Sequence, residues 1–241
     1  MARITTALLC GAVLSSFALP AAAHEIKAVA EPAKDAAFDI TRAAATTDGR
    51  LATFIMEVTG EAGSQKPTAI GKLPGAKVEA YVWPTRLDPA IFGFDAASGI
   101  LALAVTAHPD FDDTPLFDEN ADGDPANDGA GWHSHWVVLT EDAVCAGGLK
   151  VRDVSPGQDT LPPTAPGLPI ALDSPGMTPL LAGSVVRVSL PVAGAENVAF
   201  DAVTAELQVH GEGKAPLLCV SGVHKIASGD LSFPGIITLA K

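Results

Sequence analysis

The chain has 241 residues, with 15 Lys and Arg against 28 Asp and Glu and a formal net charge of −13. A surface this acidic repels nucleic acid and anionic lipid, so neither is expected as a partner, while cations are. The length suits one large β domain.

The first stretch, "MARITTALLCGAVLSSFALPAAA", carries Arg3, an apolar middle and a run of small residues. This is the pattern of a secretory signal cleaved after Ala23. Leu9 stands where a lipoprotein signal wants a small residue, so Cys10 is expected to leave with the signal. The mature chain, 24–241, then has 14 basic residues, because Arg3 is lost, against 28 acidic ones. No other apolar run approaches the ~20 residues of a membrane helix. The expectation is an exported, periplasmic or secreted protein without membrane insertion. Cys145 and Cys219 remain, and in an oxidising compartment such a pair is expected to form a disulfide.

Helical periodicity is scarce, and alternation and short apolar runs dominate. "FDITRAAATTDGRLATFIMEV" predicts two strands around an Asp48-Gly49 hairpin turn. "AKVEAYVWP" alternates and ends at Pro84. "GILALAVTAH" is continuously apolar, as in a strand buried on both faces. "GWHSHWVVLT" predicts a further strand, and "GSVVRVSLPV" another. "AVTAELQVHGEGKAPLLCVSGVHKI" predicts a hairpin turning near 211–214, and "GIITLA" closes the sheet. The fold class expected is all-β: a β-sandwich or Greek-key barrel of about eight or more strands with long loops. Residues 24–241 are expected to form a single β-sandwich domain. Two excursions interrupt it, an acidic loop at 108–130 and a Pro/Gly-rich loop at 155–179.

Two features point to metal chemistry. On a strand, His133 and His135 project from one face together with Val137 and Leu139, while Trp132, Ser134 and Trp136 face the other way. Such an H-x-H pair presents two imidazoles to one Zn²⁺ or Cu²⁺ ion. His210 and His108 are the expected third ligands. His224 ends a neighbouring strand. His24 would chelate Cu²⁺ through its ring and α-amino group if the signal is cut as expected. The "HSHW" and "AELQVH" pieces resemble the strand ligands of α-type carbonic anhydrases, which hold zinc with an H-x-H-W strand and a histidine of a neighbouring strand. The likeness covers only these two pieces. The interval from His135 to His210 is far longer than in that family, and its activity is not carried over.

The second feature is the acidic loop. No Lys or Arg occurs between Arg86 and Lys150, and Asp110, Asp112, Asp113, Asp118, Glu119, Asp122, Asp124 and Asp128 lie within that gap. Asp118, Asn120, Asp122, Gly123 and Asp124 follow the first half of a calcium loop, in which alternate oxygens converge and glycine makes the turn. Gly129 stands where an EF-hand needs Glu, so a looser Ca²⁺ loop completed by Asp128 is expected. Asp124 or Asp128 joining the two histidines is the mixed alternative. The functional expectation is divalent-metal binding. One alternative is a zinc hydrolase or lyase with Glu206 or an acid of the loop as base. The other is a calcium-stabilised adhesion or carbohydrate-binding module using Trp83 or Trp136. Tyr81 and Trp83, on one strand face, are expected in the core.

Overall fold

In a computed structural model the described residues are 25–113, 117–118, 120–125, 127–154, 157–161, 169–172 and 177–240. The strands are β1 (Glu25–Lys27), β2 (Ile40–Thr47), β3 (Leu51–Val58), β4 (Lys77–Pro84), β5 (Ile100–Ala107), β6 (His133–Glu141) and β7 (Leu149–Val151). They continue as β8 (Leu180–Ala182), β9 (Val185–Pro191), β10 (Ala199–Phe200), β11 (Val203–Val209), β12 (Leu218–Ile226), β13 (Gly235–Ile236) and β14 (Thr238–Leu239). Two short 3-10 turns, Pro89–Phe92 and Asp128–Ala130, are the helical elements described. The all-β expectation holds, with a closed barrel packed against an open sheet.

The open sheet has the order β1-β2-β3-β9-β8. β14 lies parallel to β2, pairing Thr238 with Thr46, beyond the segment of β2 that pairs with β1. The barrel closes in the order β11-β12-β7-β6-β5-β4. Closure needs strands that bend. The β11–β12 pairing shifts register between Thr204 and Ala205 and again between Glu206 and Leu207, and such bulges add the required twist. The short β7 bridges the seam, pairing Val151 with Leu139 of β6 on one side and with Leu218 of β12 on the other. Cys145, in the turn before β7, is disulfide-bonded to Cys219 of β12, with Cα atoms 5.2 Å apart. The expected bond therefore fastens that seam.

Most long strands lie where the sequence predicts them. The β2–β3 turn is the expected one. Gly49 adopts φ 89°, and the Asp48 Oδ1 atom accepts the amides of Arg50 and Leu51 at 2.8 and 2.7 Å. "GIITLA" divides its labour: β13 pairs with β10 and β14 with β2. The short strands β1, β7, β8 and β10 carry too few residues for a periodic signal.

The continuous apolar run of β5 has a clear cause. β4, β5 and β6 each serve two cores. One face packs against the open sheet, bringing Tyr81, Trp83, Leu101, Leu103 and Trp136 against Phe54, Met56, Val188 and Leu190. The other face lines the barrel with Val78, Val82, Ala102, Ala104, Val137 and Leu139. Across the barrel stand Val203, Ala205, Leu207 and Val220. The small residues among these leave a cavity of ≈ 120 Å³ inside the barrel.

Candidate metal centre

β5 and β6 are antiparallel neighbours, with Ala104 opposite His135 and Thr106 opposite His133. Alternation then sends His133, His135, Val137 and Leu139 toward the barrel, and Trp136 and Val138 into the core shared with the sheet. The inward face of β5, carrying Ala102, Ala104 and Thr106, continues into His108. There the chain crosses itself. The His108 amide donates to the Gly129 carbonyl at 2.6 Å, and the Phe111 amide donates to the His108 carbonyl at 3.4 Å. A β-carbon on Gly129 would stand 1.9 Å from the Phe111 oxygen and 2.6 Å from the His108 oxygen, so the crossing requires glycine. This tight connection folds Asp113 back under the barrel strands.

Four side chains meet at that end of the barrel. His133 Nε2 lies 2.9 Å from Asp113 Oδ1 and 3.0 Å from His108 Nε2. The Asp113 Oδ2 atom is 3.2 Å from His108 Nε2 and 3.3 Å from His135 Nε2. One ligand atom from each residue lies within 4.8 Å of all the others. All four residues are buried, with His133 at 0 % exposure and Asp113, the most exposed, at 7 %.

The far nitrogens fix the chemistry of the near ones. His108 Nδ1 faces the Phe111 carbonyl at 2.8 Å, His133 Nδ1 the Gly131 carbonyl at 3.0 Å, and His135 Nδ1 the Leu172 carbonyl at 3.1 Å. A carbonyl only accepts, so each Nδ1 carries the proton. In the neutral rings the Nε2 atoms of His108 and His133 are then lone pairs aimed at the Asp113 carboxylate and at each other. A cation at its centre, either a proton or a metal ion, would satisfy such a set. A backbone carbonyl on the distal nitrogen is also the usual device that orients a metal-ligating imidazole. Tetrahedral zinc bonds of about 2.0–2.1 Å set ligand atoms roughly 3.4 Å apart. The contacts of 2.9–3.3 Å are within a few tenths of an ångström of that spacing. The group is therefore one that can hold a metal ion.

Electrostatics favour the same state. Burial drives the His135 imidazole down to about 3 against the pull of Asp113, so that ring is neutral. Burial alone would raise Asp113, but the imidazoles around it outweigh this and hold the carboxyl well below its usual range. Burial would lower His108. The Asp113 charge and hydrogen bond outweigh it and raise this ring, the natural seat for a proton when no metal is bound.

Of the expected third ligands, His108 is in the cluster and His210 is not. β11 and β6 are separated by two strands in either direction round the barrel. His210 follows β11, in the turn before β12, where its Nδ1 accepts the Glu212 amide at 3.1 Å. The likeness to the carbonic anhydrase strand ligands therefore stops at His133 and His135. Glu206 points away from the barrel interior and binds Lys77 and Ser221 at 2.7 and 2.8 Å, so it is no base for this centre. His224 bonds Glu79 at 2.8 Å and stacks on Phe38. His24 lies outside the described residues.

The acid that joins the histidines is Asp113 rather than Asp124 or Asp128. In the acidic loop, Asp118 accepts the amides of Asp122 and Gly123, and the Asn120 amide donates to Asp128 at 3.1 Å. Among the described residues, the acids of 118–128 form no converging group of three or more His, Cys, Asp or Glu. Trp83 and Trp136 are both fully buried, which removes the aromatic ligand platform. Tyr81 is a core residue as expected, donating to the Ala37 carbonyl at 2.9 Å. No protein-family model matches the chain, and neither characterised proteins nor solved structures give a significant match.

Proposed function

We propose that the protein is exported and binds one divalent transition-metal ion through His108, Asp113, His133 and His135, with zinc the first candidate and copper the second. The observation that carries this reading is the convergence of three imidazole Nε2 atoms and one carboxylate at the end of an apolar barrel. Each ring is oriented by a carbonyl on its far side. Buried acceptors without a cation among them are costly, and a metal ion removes that cost. Three neutral nitrogens and one anionic oxygen match the ligand preferences of zinc, and imidazole also suits copper.

Four protein ligands favour holding the ion, for storage, delivery, sensing or stabilisation. The hydrolase or lyase alternative needs an open position and a base. Export is supported by the signal-like first 23 residues and by the Cys145–Cys219 bond, which belongs to an oxidising compartment. Calcium in the acidic loop is the second reading. It is favoured by the turn at Gly123, with φ 93°, and by the wrapping of backbone amides around the Asp118 carboxylate.

Elemental analysis of protein purified without chelator, beside a His133→Ala/His135→Ala variant, tests both. About one equivalent of zinc or copper, lost in the variant, is the expected result. A folded parent protein that takes up neither metal, even after incubation with excess ion, overturns the reading. Calcium retained in the variant identifies the loop as its site.

A further inference from the structure

The barrel cavity is more than imperfect packing, because it ends on the metal centre. Its walls are carbon: Val78, Val82, Val137, Ala205 and Leu207 are among them. Thr106, His108, Asp113 and His135 line it at one end, through their carbon atoms. His133 is absent from the lining. The cavity therefore reaches the cluster from the side away from His133, and a molecule inside it would approach a bound ion there. Leu73 and Val223 also line the cavity and are 39 % and 45 % exposed, which brings its rim to the surface.

We infer that the cavity binds a small aliphatic monocarboxylate, with its chain among the barrel side chains and its carboxylate on the metal ion. This rests on the metal reading above. Three observations select the class. The volume of ≈ 120 Å³ is below the ~150 Å³ of an apolar cavity that takes benzene, which gives room for about four or five carbons of the ligand. The carbon walls offer no partner to a second polar group, and burying one unpaired is unfavourable. A divalent ion with three neutral imidazoles and the Asp113 carboxylate leaves one net positive charge in a buried site. A monoanion neutralises it, and a neutral or dianionic head does not. The ligand supplies a fifth donor, an expansion that zinc accepts.

Cobalt(II) is the probe, because its visible bands report both occupancy and coordination. The protein is loaded with Co²⁺ and titrated with acetate, propionate, butyrate, valerate and octanoate, and an Ala205→Leu variant is treated alike. The larger side chain of that variant would project into the cavity, and Ala205 is not one of the four ligands. The expected result is a band shift whose midpoint tightens about fourfold per added methylene up to butyrate or valerate. It should tighten no further at octanoate, and the shift should be lost in Ala205→Leu, which still takes up cobalt. Absence of cobalt bands in the parent protein overturns the metal reading and this inference together. Bands that no carboxylate alters overturn this inference alone. So does a shift of equal midpoint for every chain length, which would place the carboxylate on the metal without the cavity.

Discussion

Replacing Gly129 by alanine should dismantle the candidate metal centre without changing any of its four residues. The added β-carbon would sit 1.9 Å from the Phe111 carbonyl oxygen, where ordinary contact begins near 3.4 Å. One arm of the crossing must therefore retreat by about 1.5 Å, and both arms are backbone. The arm containing Phe111 carries His108 at one end and leads to Asp113 at the other. Metal–ligand distances tolerate only about ±0.2 Å. A displacement several times larger removes two of four ligands from reach, so zinc affinity should fall by more than the ~10–100-fold seen when orienting groups are lost. The strain and the disturbed His108–Gly129 hydrogen bond should cost about 1–3 kcal/mol of apo stability. Competition against a chromophoric chelator measures the affinity, and urea unfolding with and without zinc measures the stability. Gly131→Ala is the control, since its added carbon meets only the Asp128 oxygen at 3.1 Å. A Gly129→Ala protein that holds zinc as tightly as the parent would refute the idea that this crossing positions the ligands.

Two further outcomes concern the frame around the centre. Cys145 and Cys219 are 74 residues apart, for which loop-closure entropy gives about 4 kcal/mol, so a Cys145→Ser/Cys219→Ser chain should lose roughly that in guanidinium unfolding. A loss below about 1 kcal/mol would show that the seam holds without its bond. Asp39 and Lys225 pair while buried at 1 % and 5 % exposure, so Lys225→Met should cost about 3–5 kcal/mol at neutral pH. Burial would raise the Asp39 pKa, but Lys225 and the Glu31 amide outweigh this and lower it. Its folded value therefore lies below the unfolded ~3.9. The contribution is complete above that pH and is lost as pH falls through the folded value. Urea midpoints at about pH 6 and about pH 3 should converge between parent and variant on the acid side, and a constant gap would refute the linkage.

How much of this is legible in the sequence divides along the range of the forces involved. The strands of the two hairpins and the inward pairing of His133 with His135 follow from period-two alternation, which is local. His108 can be named because it extends the inward face of β5, and consecutive strands tend to pair. Asp113 is hidden among eight acids, and only the Gly129 crossing singles it out. The signal that could have found it is the glycine within "NDGAGWHSH", which marks a close backbone approach. His210 is misplaced by sequence reasoning because its distance from β6 depends on barrel closure through β7, three residues long and invisible to periodicity. Trp83 and Trp136 look available for a ligand because a single strand cannot reveal that both of its faces are covered.

β6 has no outward face along His133–Leu139, since each of those side chains is buried in one core or the other. In most strands alternate positions drift freely under mutation, and ancestry fades first there. Here no position is idle. Seven consecutive residues are constrained, alternating between the barrel and the sandwich. As diverging copies of this gene accumulate changes, "HSHWVVL" should be the last segment to blur. It is therefore the phrase by which distant kin would be recognised, ahead of the acidic loop beside it.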